Sequence, residues 1–585
     1  MHVLSRIQNR RGVALEATLF VLLLMSTVIA VAYYGAITVQ RTANLDYQGS
    51  RVFYASEAGA EAVMAQLADA LEDGALSDQE LDAIQPPDVP GFSFTALDVE
   101  RVGGIATETI TDGPFAGLYS LTQRVNITAE ASDQVDNTSA IVVSVKAQAI
   151  PIFQFGIFYE KDLESTNGPS MEFAGWVHSN GNIYLSSNNA WYRDVITTPN
   201  RMFHDRKDHH NVLNGVFIND AAANEVQLDF DSRTHPAADD FRSQSDAKFD
   251  NRLKTNAYGV DSLKVPLPDG MDPKEVLKPR AVGDGELEKK AKYAWKADWY
   301  IEVPMNLVTA GVMPCDAMVQ TRAAGLAVPG PAACAAIFQG AGTAWEAFYD
   351  GRERKWVDVF EIDMAQLSAW VNTNPGTNGT SIMYITFTGA GLSTPFTDPS
   401  GDGLRPVVRL SNGSDLHGPF SFATDRPLYV RGDYNTVSWN PAALVGDAIM
   451  ILSNAWADAA HSVTPFPLTN ATNTSVYAAI LAGHTPTPCD HENPGCAGGY
   501  TDFYGGGIEN FPRFLENWGG RTLLYRGSLV SLHYSEYAVG TWNGTYYSPP
   551  VRDWQFDTRF RDPANLPPGT PTVGNVIRMA FRPVY

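Results

Sequence analysis

The chain opens on an unbroken apolar run. From Val13 to about Gly35 it carries a single charge, Glu16, near its start. About 20 apolar residues suffice to cross a bilayer as a helix, so this segment is expected to span a membrane once. Arg6, Arg10 and Arg11 precede it and the next arginine is Arg41, a bias that places the N-terminus in the cytoplasm. A cleavable secretory signal would have a shorter apolar core followed by a small-x-small site. Beyond the span, Phe53, Ala60, Met64, Leu67 and Leu71 recur at spacings of seven, four, three and four, one stripe of a helix. No proline occurs between Met1 and Gln85, and Gly74 with Ser77 ends the pattern. Residues 13–73 therefore predict a rod of about 90 Å at 1.5 Å per residue. Its stripe packs either on a following domain or in a juxtamembrane stalk.

The period then changes. After the linker Gln85-Pro86-Pro87-Asp88-Val89-Pro90 come three alternating stretches, Phe92 to Leu97, Tyr119 to Val125 and Ala140 to Val145. They read as an antiparallel sheet, closed by Ile150-Pro151. From Phe153 on, short apolar strands alternate with Gly, Asn and Asp. Starting at Tyr384, successive strands follow at steps of about 24, 21, 20 and 28 residues, near the length of one turn of a parallel β-helix. The rungs are expected to include Tyr429, Ile449, Tyr477 and Leu529, with a β-sandwich of irregular strands as the competing architecture. Residues 187–380 read as an insertion, with charged helix-prone stretches between Lys274 and Tyr300 and an amphipathic helix from Val359 to Trp370. The predicted class is thus mainly β with a long N-terminal α-helix: helix 13–73, small sheet 74–150 and β-solenoid passenger 151–585.

Composition narrows the setting. At 585 residues the chain has room for two or three domains. Its net charge is −23 and nothing beyond the first residues is basic, which argues against nucleic acid as a partner. Only 18% of residues are charged, a balance that suits a loop-rich extracytoplasmic β protein. The four cysteines form two local pairs, Cys315/Cys334 and Cys489/Cys496. In an exported chain these read as two disulfides, because no C-x₂-C spacing supports a zinc site.

Glu16 makes a bare membrane anchor an insufficient account. A carboxylate inside an apolar helix costs a few kcal/mol unless it finds a partner. Cleavage after Gly12 would supply one, the new α-amine of Val13. Basic leader 1–12, Gly12, apolar helix and early Glu16 resemble the class III signal of type IV pilins. Tyr54-Ala55-Ser56-Glu57-Ala58-Gly59-Ala60-Glu61-Ala62 resembles the AAEAG segment of the PilX-type minor pilin N-terminal family. The resemblance covers roughly residues 5–72. It implies a prepilin peptidase that cuts between Gly12 and Val13, other pilins as partners, and a subunit-assembly role for Glu16. Glu16 would be mature residue four, whereas major pilins carry theirs at five. The segments PLYVRGDYN, DAIMILSNAW, GGGIENFPRFLENW and YRGSLVSLHYSEYA resemble the C-terminal region of large PilX-N-domain proteins of Gram-negative bacteria. That resemblance implies architecture and no assigned activity.

Other constellations in the chain have plain structural readings. The stretch His204-Asp205-Arg206-Lys207-Asp208-His209-His210 interleaves imidazoles and carboxylates with cations that repel a metal, and reads as a solvated loop. Asp398 and Asp402 sit in a Gly-containing turn with oxygen donors suited to calcium, without the spacing of an EF-hand. Arg431-Gly432-Asp433 reads as a turn between strands, and Asn180 and Asn435 as turn caps. His178 and Ser179 lack a G-x-S-x-G elbow. Asp447 and Glu509 are the carboxylates a β-helix polysaccharide lyase would use, but no catalytic pair is identifiable. Trp439, Trp456, Trp518, Trp542 and Trp554 either stack sugars or sit in a core.

The sequence thus points to a minor pilin or pseudopilin. It inserts in the bacterial inner membrane with its C-terminal domain in the periplasm, then reaches a filament or the cell surface. There it presents its passenger to a surface glycan or host ligand. The alternatives are an anchored polysaccharide-active β-helix enzyme and a plain anchored surface protein.

Overall fold

The computed structural model describes residues 11–584 apart from 71–75, 209, 266, 269, 306–317, 323–325, 340–345, 375–380, 390–391, 393–403, 462–468, 489–503 and 543–545. A single 60-residue helix, α1 (Arg11–Ala70), begins it. Its apolar part is long enough to cross a membrane, and the residues from Leu15 to Tyr47 make almost no contact with the rest of the chain. Hydroxyls inside the apolar stretch fold back on their own helix: Thr18 donates to the Leu15 carbonyl at 2.8 Å and Thr27 to Leu23 at 3.0 Å. This removes polar hydrogens from a surface that offers them no partner.

From Val52 onward one face of α1 is buried, through Val52, Ala55, Ser56, Ala60, Val63 and Leu67. Ala60 and Leu67 belong to the stripe read from the sequence. Phe53 and Met64 lie at its flank, half-buried, and Leu71 lies outside the described residues. The stripe is rotated because small residues let the helix approach the sheet more closely on the Ala55–Ser56 side. After α2 (Asp78–Ala83), which Ser77 and Glu80 cap reciprocally, come β1 (Phe92–Thr109), β2 (Tyr119–Asp133) and β3 (Thr138–Pro151). These are the three expected antiparallel strands.

The chain then winds. One turn comprises β4 (Ile157–Tyr159), β5 (Leu163–Ser165) and β6 (Met171–Phe173); the next β7 (Val177–Ser179), β8 (Ile183–Leu185) and β9 (Ser187–Tyr192); the third β10 (Ile196–Thr197), β11 (Met202–Phe203) and β12 (Asn214–Asn219). Corresponding strands stack in parallel, which lines up buried columns: Ile157–Val177–Ile196, Leu163–Ile183–Met202 and Met171–Ala190–Val216. β13 (Glu225–Gln227) turns back on β12, and β14 (Leu253–Lys254) closes this end behind the helix α3 (Ala238–Phe249).

The second half supplies β15 (Trp299–Pro304), β16 (Val319–Thr321), β17 (Phe338–Gln339), β18 (Glu346–Asp350), β19 (Lys355–Asp363), β20 (Ile382–Thr388), β21 (Pro406–Ser411), β22 (Phe420–Thr424), β23 (Leu428–Arg431), β24 (Ala442–Gly446), β25 (Ile449–Leu452), β26 (Thr474–Tyr477), β27 (Ala479–Ala482), β28 (Pro512–Arg513), β29 (Thr522–Gly527), β30 (Leu529–Ser531), β31 (Val551–Phe556) and β32 (Thr572–Val584). An eleven-stranded sheet runs β14-β10-β7-β4-β30-β27-β24-β22-β20-β15-β16. Every pair in it is parallel except β15–β16. The chain leaves β4 towards β14, reappears at the far end in β15, and winds back until β30 lies against β4. Parallel ladders β19-β21-β23-β25-β28 and β26-β29-β31 form further faces.

Two sequence readings need correction in detail. Residues 187–380 do not simply interrupt the pattern, since β9 to β12, β14, β15 and β19 belong to the stacked ladders. The long connections hid them. The helix expected from Val359 starts at Met364, where Asp363 caps it by accepting the Gln366 N–H at 3.0 Å. Val359 to Ile362 are strand, recruited by pairing with β21. Of the four expected rung residues, Tyr429 and Ile449 lie on parallel neighbours β23 and β25. Tyr477 and Leu529 fall in two other sheets.

The last strand is unexpected. β32 returns to β3 and pairs with it antiparallel from Thr572 opposite Pro151 to Val584 opposite Ala140. The first sheet is therefore four-stranded, β1-β2-β3-β32, and residues 152–571 lie between two neighbouring strands of it.

Candidate functional site

The junction of α1 with the first sheet is the first candidate. Ser56 Oγ donates to the Ser139 carbonyl on β3 at 2.6 Å. Gly59 lies against the Phe94 ring of β1, where a Cβ would collide with it. Arg578 on β32 reaches Glu57 at 3.8 Å and pairs with Glu61, while Phe581 meets Phe53 edge-on with ring centres 5.8 Å apart. The small-residue segment around Gly59 thus docks the helix, and its two glutamates hold the C-terminal strand. Arg578 and Phe581 escaped the sequence reading. The alternation from Val573 to Phe581 was the available signal.

Gly12 and Val13 lie in the first turns of α1, and Glu16 is exposed on it. Cys334 is buried on the helix Pro331–Ile337 and is disulfide-bonded. Cys315, Cys489, Cys496, Asp398 and Asp402 lie outside the described residues. Among the described residues no group of three His, Cys, Asp or Glu side chains is placed to hold a metal. In the His204 loop, Lys207 meets Asp162 at 2.8 Å, Arg206 meets Asp208 at 2.7 Å, and Arg233 meets Asp205 at 2.7 Å. Asn435 caps a turn as expected, donating to the Asn440 and Tyr477 carbonyls at 2.7 and 2.9 Å from a left-handed backbone of φ 58°. Gly432 has φ 80° between β23 and the bend that follows. Trp456, Trp518 and Trp554 are core residues. Trp439 is covered by the Arg559 guanidinium, 4.0 Å from its ring centre.

The second candidate is a cluster of buried charge. Arg513 pairs with Glu353 at 2.7 Å and donates to the Ala538 carbonyl at 2.7 Å. The other Glu353 oxygen accepts the Gly540 N–H at 2.7 Å. Asp447 accepts backbone N–H groups of Tyr537 and Ala538 at 3.1 and 2.9 Å. Glu509 accepts the Tyr504 hydroxyl at 2.5 Å and the Thr166 hydroxyl at 3.0 Å. Burial pushes the Glu164 carboxyl up to about 7, against the pull of Lys207. Burial also raises Glu353, Asp447 and Glu509 and lowers Arg513. Perturbed carboxylates commonly mark active sites. Here Glu164 and Arg513 line, with His484 and Arg352, a cavity of about 10 Å³, space for about one water. Asp447 and Glu509 spend their lone pairs on loop backbone and hydroxyls. The cluster ties the 504–513 and 535–540 loops to the β18–β19 hairpin.

The neutral histidines fit the same logic. His178, in the middle of its ladder, bonds Thr197 at 2.8 Å and Asn180 at 2.9 Å, and burial lowers its pKa to about 4. Three rings, Phe115, Phe155 and Phe158, surround it.

No protein-family model matches the chain, and no curated protein matches it. Among solved structures, the crystal structure of the competence-associated pilin ComZ from Thermus thermophilus aligns at 11% identity, over 92% of this chain and 97% of that one, with a TM-score of 0.30. At that TM-score the two chains do not share a demonstrated common fold.

Proposed function

We propose that the chain is a membrane-inserted minor pilin or pseudopilin that joins or primes a type IV pilus or related filament. Residues 152–571 form a parallel β-solenoid passenger that it displays for surface adhesion. The observation that carries this reading is α1 itself. Its first half is apolar and exposed, and its second half packs on an antiparallel sheet of the same chain. An exposed apolar half-helix requires lipid or other helices around it, and the bilayer before assembly and a filament core of like helices after it supply the two in turn. In this reading the prepilin peptidase removes residues 1–12. The Val13 amine then partners Glu16 on its own or a neighbouring subunit. The passenger faces the periplasm before assembly and the outside afterwards.

N-terminal sequencing of membrane-extracted protein tests the processing and is expected to begin at Val13. A start at Met1 or beyond Ala32 overturns the reading. Glu16→Ala is expected to leave membrane insertion intact, because losing a carboxylate lowers the transfer cost, and to deplete the protein from sheared filaments. Wild-type amounts in the sheared fraction would remove Glu16 from assembly.

A further inference from the structure

The winding leaves a seam. Where its end meets its beginning, β30 pairs with β4 and the eleven-stranded sheet passes through unbroken. On the neighbouring face β31 lies beside β6 without joining its sheet. A groove of about 430 Å³ opens along that break, between the outward residues of β6 and β9 and those of β31. Its size falls in the range of small-ligand sites.

Its walls have a definite chemistry. The Trp191 indole is stacked on Phe217, 6.0 Å between ring centres and 11° from parallel, and it lines the groove. Its Nε1–H donates to Glu225 at 3.1 Å. Arg193 is held between Glu172 at 3.0 Å and Glu225 at 2.6 Å. On the opposite bank Asp553 is paired with Arg526 at 2.9 Å, and the Gln555 amide is exposed. The Arg193 and Arg526 guanidinium groups are thus engaged by carboxylates, and Arg552, also in the lining, is buried and donates to the Glu509 carbonyl at 2.9 Å. What remains to a ligand is the outer lone pairs of three carboxylates, an amide that both donates and accepts, and the face of an immobilised aromatic ring. A polyanion would meet Glu172, Glu225 and Asp553 on a chain of net charge −23. A neutral ligand with many hydroxyl donors and one apolar flat face meets complementary groups throughout.

We infer that the seam groove binds a neutral saccharide, with Trp191 as the stacking platform and Glu172, Asp553 and Gln555 as hydroxyl partners. This rests on the display reading, since it names what the displayed domain holds. The tryptophans singled out in the sequence do not form the platform. Trp191 does, because its strand turns it outward beside the break.

The test is binding of the detergent-solubilised full chain to a printed array of neutral gluco-, manno- and galacto-configured oligosaccharides beside uronate and sialylated ones. Binding to at least one neutral series is expected. Trp191→Ala should weaken it by about tenfold or more, with partial recovery in Trp191→Phe. Trp356→Ala, on β19 in another sheet and outside the groove lining, should bind as wild type. Absence of neutral binding, binding confined to the anionic series, or equal binding by Trp191→Ala with an unchanged melting temperature overturns the inference. Saccharide binding in detergent does not depend on filament entry, so either reading can fail alone.

Discussion

The N–H of Ile152 donates to the carbonyl of Pro571 across 3.0 Å. Residues 419 positions apart in the chain therefore sit side by side, and both ends of the winding unit enter through neighbouring strands β3 and β32. A domain held by two adjacent strands has far less freedom than one hung on a single linker. Gln154 adds to the joint, exchanging hydrogen bonds with the Tyr119 backbone at 3.0 and 2.8 Å. The orientation of residues 152–571 relative to the first sheet is set by this paired junction.

Val573 is fully buried at that junction, in one apolar cluster with Ile150, Ile152 and Phe153. Val573→Asp places an unpaired carboxylate there and should cost about 3 kcal/mol. The expected readout is early proteolytic cleavage near residue 571 with the winding unit still resistant. Uniform resistance across the chain would show that β32 is dispensable.

Gly59→Val sets a branched side chain against the Phe94 ring. The helix must lift or the ring must move, at about 1–3 kcal/mol. Gly59→Ala should show a smaller loss of the same kind. Melting temperatures of the detergent-solubilised chain rank the three proteins, and an unchanged melting temperature in Gly59→Val would rule out the close approach.

Arg513→Met leaves Glu353 buried without its ion-pair partner. Removing one member of such a pair costs about 3–5 kcal/mol. The double variant with Glu353→Gln should recover part of the loss, because it removes the stranded charge. A double-variant cycle read by denaturant unfolding separates the two outcomes.

His178 has a folded pKa of about 4 because burial disfavours its cation. Its ordinary value is about 6.5, so between these values the unfolded chain binds the extra proton. Stability from this group is complete above pH 6.5 and is lost as pH falls towards 4, about 2 kcal/mol of it by pH 5. Glu164 has the opposite sign. Its folded pKa, raised to about 7, makes it stabilising below its ordinary range and costly as pH rises through 7. His178→Gln should therefore flatten the loss of stability between pH 7 and 5, and Glu164→Gln should flatten the loss between pH 5 and 8. Parallel wild-type and variant curves would contradict the assignments.

The sequence by itself determined the elements whose signal is local. The apolar run of α1, its continuation to Leu67, the three strands that follow, the β character of the rest and the turn role of Asn435 are each written in a few neighbouring residues, through hydrophobic period or the backbone demands of a turn. Only the tertiary structure decided what depends on distant partners. That Trp554 is buried and Trp191 outward-facing follows from strand register. That Asp447 and Glu509 close on loop backbone follows from how the 504–513 and 535–540 loops pack. That the strand ending the chain completes the sheet under α1 follows from pairing between Thr572 and Pro151, which no local pattern encodes, because the apolar alternation of β32 fits either face of several sheets until a neighbouring strand fixes it.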